Sequence, residues 1–420
     1  MMRARKRALA ALLLITGVVM GSWITRTPAI RDLVGASTSE MGLILFVMSA
    51  GSMVGILSSG PLVSRLGTKP VIAVGMAGEL LCLPVVGIGA GLESDLAAQL
   101  LVAGGLFLFG LGMGTAEVAI SVEGAKVEEL TLRPFLLTMH GFFSLGASAG
   151  AVVGIVFTAV ALDVRVHLIA VGVIAAGGVV AALRGIPYGS GKTDTLIQDT
   201  NHDSARRKRE PLWRDRRLVL ISLVVLAMAL TEGTANDWLP LIMVDGHGLD
   251  APLSSTVYAI FAATMAIGRL AGGRGVRRLG RGKVVRASAA LAAVGIALVA
   301  AVDARPVAMV AVLMWGLGVA LGFPLAISAA GDSGPDATAR VAFASSLGFL
   351  AYLVGPPLLG FIGQHVGLRT ALVVPLFMMC VVVVVARATR DEARRRGESS
   401  ANLPAAEGRS PTARADIEVR

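Results

Sequence analysis

A few ionisable side chains interrupt the apolar runs of this 420-residue chain, and their spacing suits proton or solute handling. Glu117 stands in GLGMGTAEVAIS, four residues before Ser121, so the two share one helix face. A charge in an apolar span costs about 3 kcal/mol or more, so it is kept only where it faces a cavity or a partner. His140 opens the next apolar run, with Ser144 one helical turn further on. A second constellation lies in TEGTANDWLP, where Glu232 and Asn236 share a face and Asp237 is turned by roughly 140°. Glu117, Glu232 and His140 are the proton-coupling candidates. Ser121, Ser144 and Asn236 are candidates for a solute path. The rings of Trp23 and Trp238 either stack on a solute or sit in an interfacial aromatic belt. Arg26 and Asp237 form a candidate outer gate or a structural pair. Glu117 has an alternative reading as the partner of Lys126 or Arg133, and Glu79 has no partner assigned.

These groups have to be positioned by membrane helices. Hydrophobic residues make up 55% of the chain and charged residues 16%, and the mean hydropathy is +0.75. Soluble domains carry about 25% charged residues. Twelve apolar runs stand out, at 8–30, 41–63, 70–91, 97–122, 135–160, 165–183, 218–244, 253–272, 283–302, 306–328, 341–363 and 368–386. Each is near the ~20 residues that cross a bilayer as a helix. Helix is the expected state, because lipid offers no partner to open backbone groups. Glu117 then falls roughly 8 Å inside the inner end of the fourth span.

Of the 38 Lys and Arg residues, all but Arg26, Arg31, Arg165, Arg305 and Arg369 fall on one side of this topology, counting Arg269 with the inner bases. The positive-inside rule therefore predicts that the N-terminus, the central loop and the C-terminus all lie in the cytoplasm. The basic start Arg3, Arg5, Lys6 and Arg7 also suits a signal peptide, but cleavage there would break the parity of the spans. The net charge of +10 belongs to loops between apolar runs and implies lipid contact, not nucleic acid.

The halves repeat each other. GPLVSRLG from Gly60 aligns with a second copy from Gly273, matching Arg65 to Arg278, Leu66 to Leu279 and Gly67 to Gly280. Pro28 and Pro240, Gly110-Leu111-Gly112 and Gly316-Leu317-Gly318, and Ser144-Leu145-Gly146 and Ser346-Leu347-Gly348 follow in order. Repeated halves mark transporter folds with a site between them. The division predicted is 1–183 for the first six-helix bundle, 184–217 for a cytoplasmic linker, 218–387 for the second bundle and 388–420 for a disordered tail.

Two such halves, a basic central loop and Gly-x-x-x-Asp-Arg-x-Gly-type turns resemble the Major Facilitator Superfamily. The resemblance implies an all-α fold of two pseudo-symmetric six-helix bundles. It also implies an inner latch at Gly60, Arg65, Gly67, Arg278 and Gly280. Ser64 and Arg277 replace the motif's aspartate in the two copies. Trp23, Arg26 and Pro28 ending the first span, Glu117 with Ser121, His140 with Ser144, and Glu232-Gly233 with Asp237-Trp238 resemble the fucose-permease-like branch and its bacterial relatives. That branch carries an asparagine where Ser121 stands, which weakens the carry-over of a sugar substrate.

Several chemistries are set aside. No phosphate-binding Gly-Lys-Ser/Thr loop is present. Cys82 and Cys380 lie in apolar runs, with no metal-ligand or disulfide spacing. No nucleophile motif points to an enzyme, and no cofactor is expected. The sequence reads as a monomeric secondary transporter for a small polar organic solute, with proton symport ahead of drug or metabolite antiport.

Overall fold

The computed structural model describes residues 2–131, 135–192 and 211–390. Twelve helices are long and apolar enough to span a bilayer, and no strand occurs among the described residues. They are α1 (Met2–Ile24), α2 (Thr38–Leu66), α3 (Thr68–Gly89), α4 (Asp95–Thr131), α5 (Thr138–Ala159), α6 (Val164–Leu183), α7 (Arg216–Gly246), α8 (Ala251–Ala271), α9 (Arg281–Ala301), α10 (Arg305–Gly331), α11 (Ala339–Val366) and α12 (Leu368–Thr389). Of the expected tail 388–420, residues 391–420 lie outside the described residues, and so does 193–210 of the expected linker 184–217.

Local chemistry sets the helix ends. Ser37 and Glu40 form a reciprocal capping box at the start of α2. Asp215 and Asp250 accept hydrogen bonds from the first turns of α7 and α8. Junctions α2/α3, α5/α6, α8/α9 and α11/α12 each hold a residue of positive φ, namely Gly67 at 89°, Ala161 at 53°, Gly280 at 82° and Gly367 at 85°. One device therefore recurs every three spans, as expected of halves built from three-helix repeats.

Three boundaries differ from the sequence reading. The first span ends at Ile24, and a separate short helix, Thr27–Leu33, follows a turn at Arg26. The charged stretch from Glu123 is not a turn, because α4 continues through it to Thr131. Glu117 consequently lies fourteen residues before the helix end, about 21 Å inside rather than 8 Å. After Ala271 the eighth span continues past Gly272 as a short helix, Gly273–Leu279.

Glycines govern the close packing within the first half. A methyl group on Gly146 or Gly150 of α5 would overlap the α1 carbonyls of Leu14 or Val18. One on Gly110 or Gly112 of α4 would overlap Met48 of α2 or Gly75 of α3. The glycine-rich stretch around Glu117 thus brings three helix backbones together. The two sets of six spans meet through α2 against α11 and α5 against α8. Helix α7 runs through the centre, with every residue from Ala227 to Met243 buried.

Candidate functional site

At the middle of the molecule, Arg269 of α8 connects the two sets of spans. Its Nη2 donates to Glu232 Oε1 of α7 at 2.8 Å, and its Nη1 donates to Ser144 Oγ of α5 at 2.9 Å. Its Nε donates to the Ala320 carbonyl at 3.4 Å, where α10 is interrupted. Both side chains of the ion pair are nearly buried, at 12% and 8% exposure. The charges of Glu117, Arg269 and Glu232 all act on His140 of α5. The same three, with Asp237, act on Tyr352 of α11. The Tyr352 ring packs on Gly233, where a Cβ would come within 3.0 Å of it. Tyr258 donates to Asn236 Oδ1 at 3.4 Å.

The structure therefore gathers Glu117, His140, Ser144, Glu232 and Asn236 with Arg269, Tyr258 and Tyr352. Glu117 and Ser121 are partly buried on α4, and neither has a hydrogen-bond or ion-pair partner among the described residues. Lys126 is exposed and makes no ion pair with Glu117, while Arg133 lies outside the described residues. Glu79 is fully buried and makes no ion pair among the described residues, with the Thr16 hydroxyl beside its carboxylate.

Arg269, Tyr258 and Tyr352 were missed in the sequence. An arginine in the last turn of an apolar run reads as a positive-inside anchor. The internal repeat held the missing signal. Arg269 precedes Leu279, which aligns with Leu66, by ten residues, so the repeat sets it well before the turn at Gly280.

The predicted gate pair does not form. Arg26 donates from Nε to His167 Nδ1 at 2.9 Å and from Nη2 to the Leu162 carbonyl at 3.0 Å, both within the first half. The turn that ends α1 aims its guanidinium at α6. Asp237 is buried without an ion pair among the described residues. Trp23 and Trp238 are also displaced from their expected places. They are 1% and 0% exposed, so neither lines an open path nor sits in an interfacial belt. Trp23 packs edge-on to Phe109, with 6.3 Å between centroids, and Trp238 lies against Gly360 where α2 meets α11.

The outer end is closed by other groups. Arg31, in the short helix after α1, pairs with Asp245 in the π-helical end of α7. The Ser39 N–H donates to Gln364 Oε1 at 3.3 Å, and Ser255 Oγ donates to the Thr25 carbonyl at 3.3 Å. Gly42 and Gly360 approach backbone to backbone. The outer arginines hold this end in shape. Arg369 donates to the Gly246 and Ala300 carbonyls, and Arg305 to those of His247 and Gly248.

At the inner end each half is tied to itself. Arg5 pairs with Glu123 at 2.6 Å, and Thr68 Oγ1 donates to Glu123 at 2.9 Å. Arg281, which follows Gly280 as Thr68 follows Gly67, pairs with Asp332 at 2.7 Å. Arg340 pairs with Asp215 at 2.7 Å. The latch glycines Gly67 and Gly280 turn the chain at φ 89° and 82°, open to glycine without strain. Arg65 and Arg278 are exposed, and a Cβ at Gly60 would meet nothing within 4 Å. The hydrogen bonds and ion pairs joining the halves among the described residues thus gather at the middle and the outer end. The end that carries the Arg31–Asp245 pair is the closed one.

The family model of the Major Facilitator Superfamily matches residues 8–347. The chain belongs to the Major Facilitator Superfamily. It is a multi-pass membrane transporter and not an enzyme. An uncharacterised superfamily transporter of Yersinia pestis is 28% identical over 379 residues, covering 89% of this chain and 93% of that protein. A point mutant of the nucleoside transporter NupG shares the fold with a TM-score of 0.70, at 13% identity, over 92% of this chain and 98% of that one. The superfamily transporter FucP, solved in an outward conformation, has a TM-score of 0.61 at 18% identity, over the same 92% and 98%.

Proposed function

We propose that this superfamily member takes up a small polar organic solute, such as a sugar or a related metabolite, by proton symport. Residues 1–183 and 218–387 rock about the central cluster, in a bacterial inner membrane with both termini cytoplasmic. One observation carries the coupling. Of the two acids that the sequence offers for proton coupling, Glu232 is held by Arg269 at 2.8 Å, whereas Glu117 has no ion pair among the described residues. An acid without a fixed counter-charge in a membrane interior gains most from a proton. Glu117 is therefore the proton carrier, with His140 beside it. Ser121, Asn236 and Tyr352 supply the donors and acceptors that a hydroxylated solute needs. The fold likeness to a nucleoside transporter and to FucP fits a polar, ring-sized solute.

The test is proton flux in proteoliposomes driven by a panel of monosaccharides and nucleosides. Symport predicts that one of them drives protons inward with it. Glu117→Gln, which mimics the protonated acid, should keep counterflow of that solute and lose accumulation against a gradient. Protons moving opposite to the solute would establish antiport instead. Full accumulation by folded Glu117→Gln would remove Glu117 from the mechanism.

A further inference from the structure

The segment joining α7 to α8 carries one side of the outer lock and is gripped by the rest of the second half. Asp245, which pairs with Arg31, lies in the π-helical end of α7, and His247 follows it by two residues. His247 is 8% exposed, and its Nε2 lies 3.0 Å from the Val299 carbonyl of α9. A carbonyl only accepts, so Nε2 carries the proton of the neutral ring. Nδ1 is left as the bare nitrogen, buried and without a hydrogen-bond partner. Two arginines hold the backbone on either side of the ring. Arg369, at the start of α12, donates to the Gly246 carbonyl at 3.3 Å and pairs with Asp303. It packs so closely that a Cβ on Gly246 would come within 2.6 Å of its Cγ. Arg305, at the start of α10, donates to the His247 carbonyl at 3.3 Å and the Gly248 carbonyl at 2.9 Å. The charged groups around the ring are thus Arg369, Arg305 and Asp303, with Asp245 on its own turn and Asp250 capping α8.

We propose that His247 is an acid-release catch on the Arg31–Asp245 lock: the neutral ring seats the turn that presents Asp245, and a second ring proton unseats it. Protonation leaves the Val299 bond in place but puts an N–H on Nδ1, where no acceptor waits. A buried donor without a partner is costly, and this one adds a positive charge beside Arg369. The imidazolium is relieved by leaving its seat for water. The chain from Gly246 to Gly248 leaves with it, against the hold of the two arginines, and Asp245 is drawn away from Arg31. Burial and the Arg369 guanidinium keep the ring below the ordinary histidine range, outweighing the Val299 bond and Asp303, which act the other way. The closed end therefore prefers the neutral ring, and the open end accepts the charged one. Closure is undiminished above the ordinary histidine value, about 6.5, and weakens as pH falls from there toward the lower closed-state value. The catch acts on the opening of this end, whichever acid carries a coupled proton.

The test needs no solute, only protons. In full-length protein with Cys82→Ser and Cys380→Ser, held in lipid nanodiscs, Ser39→Cys is labelled with a maleimide. Ser39 is chosen because opening must break its bond to Gln364 of the other half. Rates are normalised to Glu93→Cys, an exposed position, to remove the pH dependence of the thiol itself. Between about pH 7.5 and 5 the parent should gain up to about fivefold in labelling, the change expected from losing one partly exposed ion pair. That window lies above the ordinary range of carboxylates. His247→Gln keeps a donor for the Val299 carbonyl but cannot become a cation, so its labelling should stay at the parent's neutral-pH level throughout. His247→Asn takes its place if the Gln variant does not fold. Arg31→Gln, with the lock already released, should label fast at every pH and lose most of the acid gain. A parent without an acid gain overturns the proposal, and so does a parent-like gain in folded His247→Gln or His247→Asn. If that gain disappears only in Glu117→Gln, it belongs to the central acid and the catch is equally refuted.

Discussion

Outward opening requires Arg31 and Asp245 to part, and the cost can be worked from the structure. Nη1 and Nη2 of Arg31 both reach the Asp245 carboxylate, a two-pronged geometry at the strong end for such pairs. The Arg31 side chain is 13% exposed and that of Asp245 34%, so solvent screening must be discounted. Exposed pairs contribute about 0.2–1 kcal/mol, and this one belongs near the top, at about 1 kcal/mol. That corresponds to roughly a fivefold change in the ratio of outward to inward states. Arg31→Gln should therefore raise labelling of a Ser39→Cys reporter by an impermeant maleimide about fivefold, and Asp245→Asn should match it, because the remaining Arg31–Asp32 bridge lies within one short helix and does not join the halves. The double variant should add little to either single, because both remove the same contact between the halves. High salt should bring the parent toward the variants by screening the pair. Unchanged labelling in both single variants, or fully additive effects in the double, would refute the lock.

Further outcomes follow from the junctions and the inner rim. Gly67 has φ 89° and ψ 166°, a region open essentially only to glycine, so Gly67→Val should cost about 1–3 kcal/mol and lower the thermal midpoint in detergent. Ala161, the one non-glycine among the four junction residues, has φ 53°. Ala161→Gly should be neutral to stabilising by up to about 1 kcal/mol, and an Ala161→Val variant at least as stable as the parent would contradict the argument. Burial alone pushes the Asp215 carboxyl up, but the Leu218 N–H and the Arg340 guanidinium outweigh it and hold it below the usual carboxylate range. Its contribution is then fully present above the ordinary aspartate value, about 3.9, and is lost as pH falls through the lower folded value. Asp215→Asn should lower the thermal midpoint at neutral pH, with a difference that shrinks in acid.

The spans were legible because lipid admits one solution for each apolar run of that length. Their ends were not, because a polar helical extension such as 123–131 has the composition of a loop. The acids were legible as charges out of place, and Glu117, His140, Ser144, Glu232 and Asn236 do converge. Arg269 was not, because its position near the end of an apolar run has an ordinary explanation in orientation. Arg26 shows the converse error. Symmetry between the first and seventh spans suggested a partner in the other half, but the chain turns at Arg26 and sends the side chain to His167. Tyr258 and Tyr352 carry no sequence signal at all, since an aromatic in an apolar run reads as core.

The start of the linker belongs to the first half. The Thr68 N–H donates to the Ser190 carbonyl at 2.7 Å, Arg5 donates to Ser190 Oγ at 3.2 Å, and Lys69 lies over the Tyr188 ring at 3.9 Å. On the other side Asp215, bonded to Arg340, already belongs to the second half. Among the described residues, the α2–α11 and α5–α8 faces and the central arginine keep the halves in register. A chain severed between 193 and 210 and made as two separate polypeptides retains every described contact needed to find its complement.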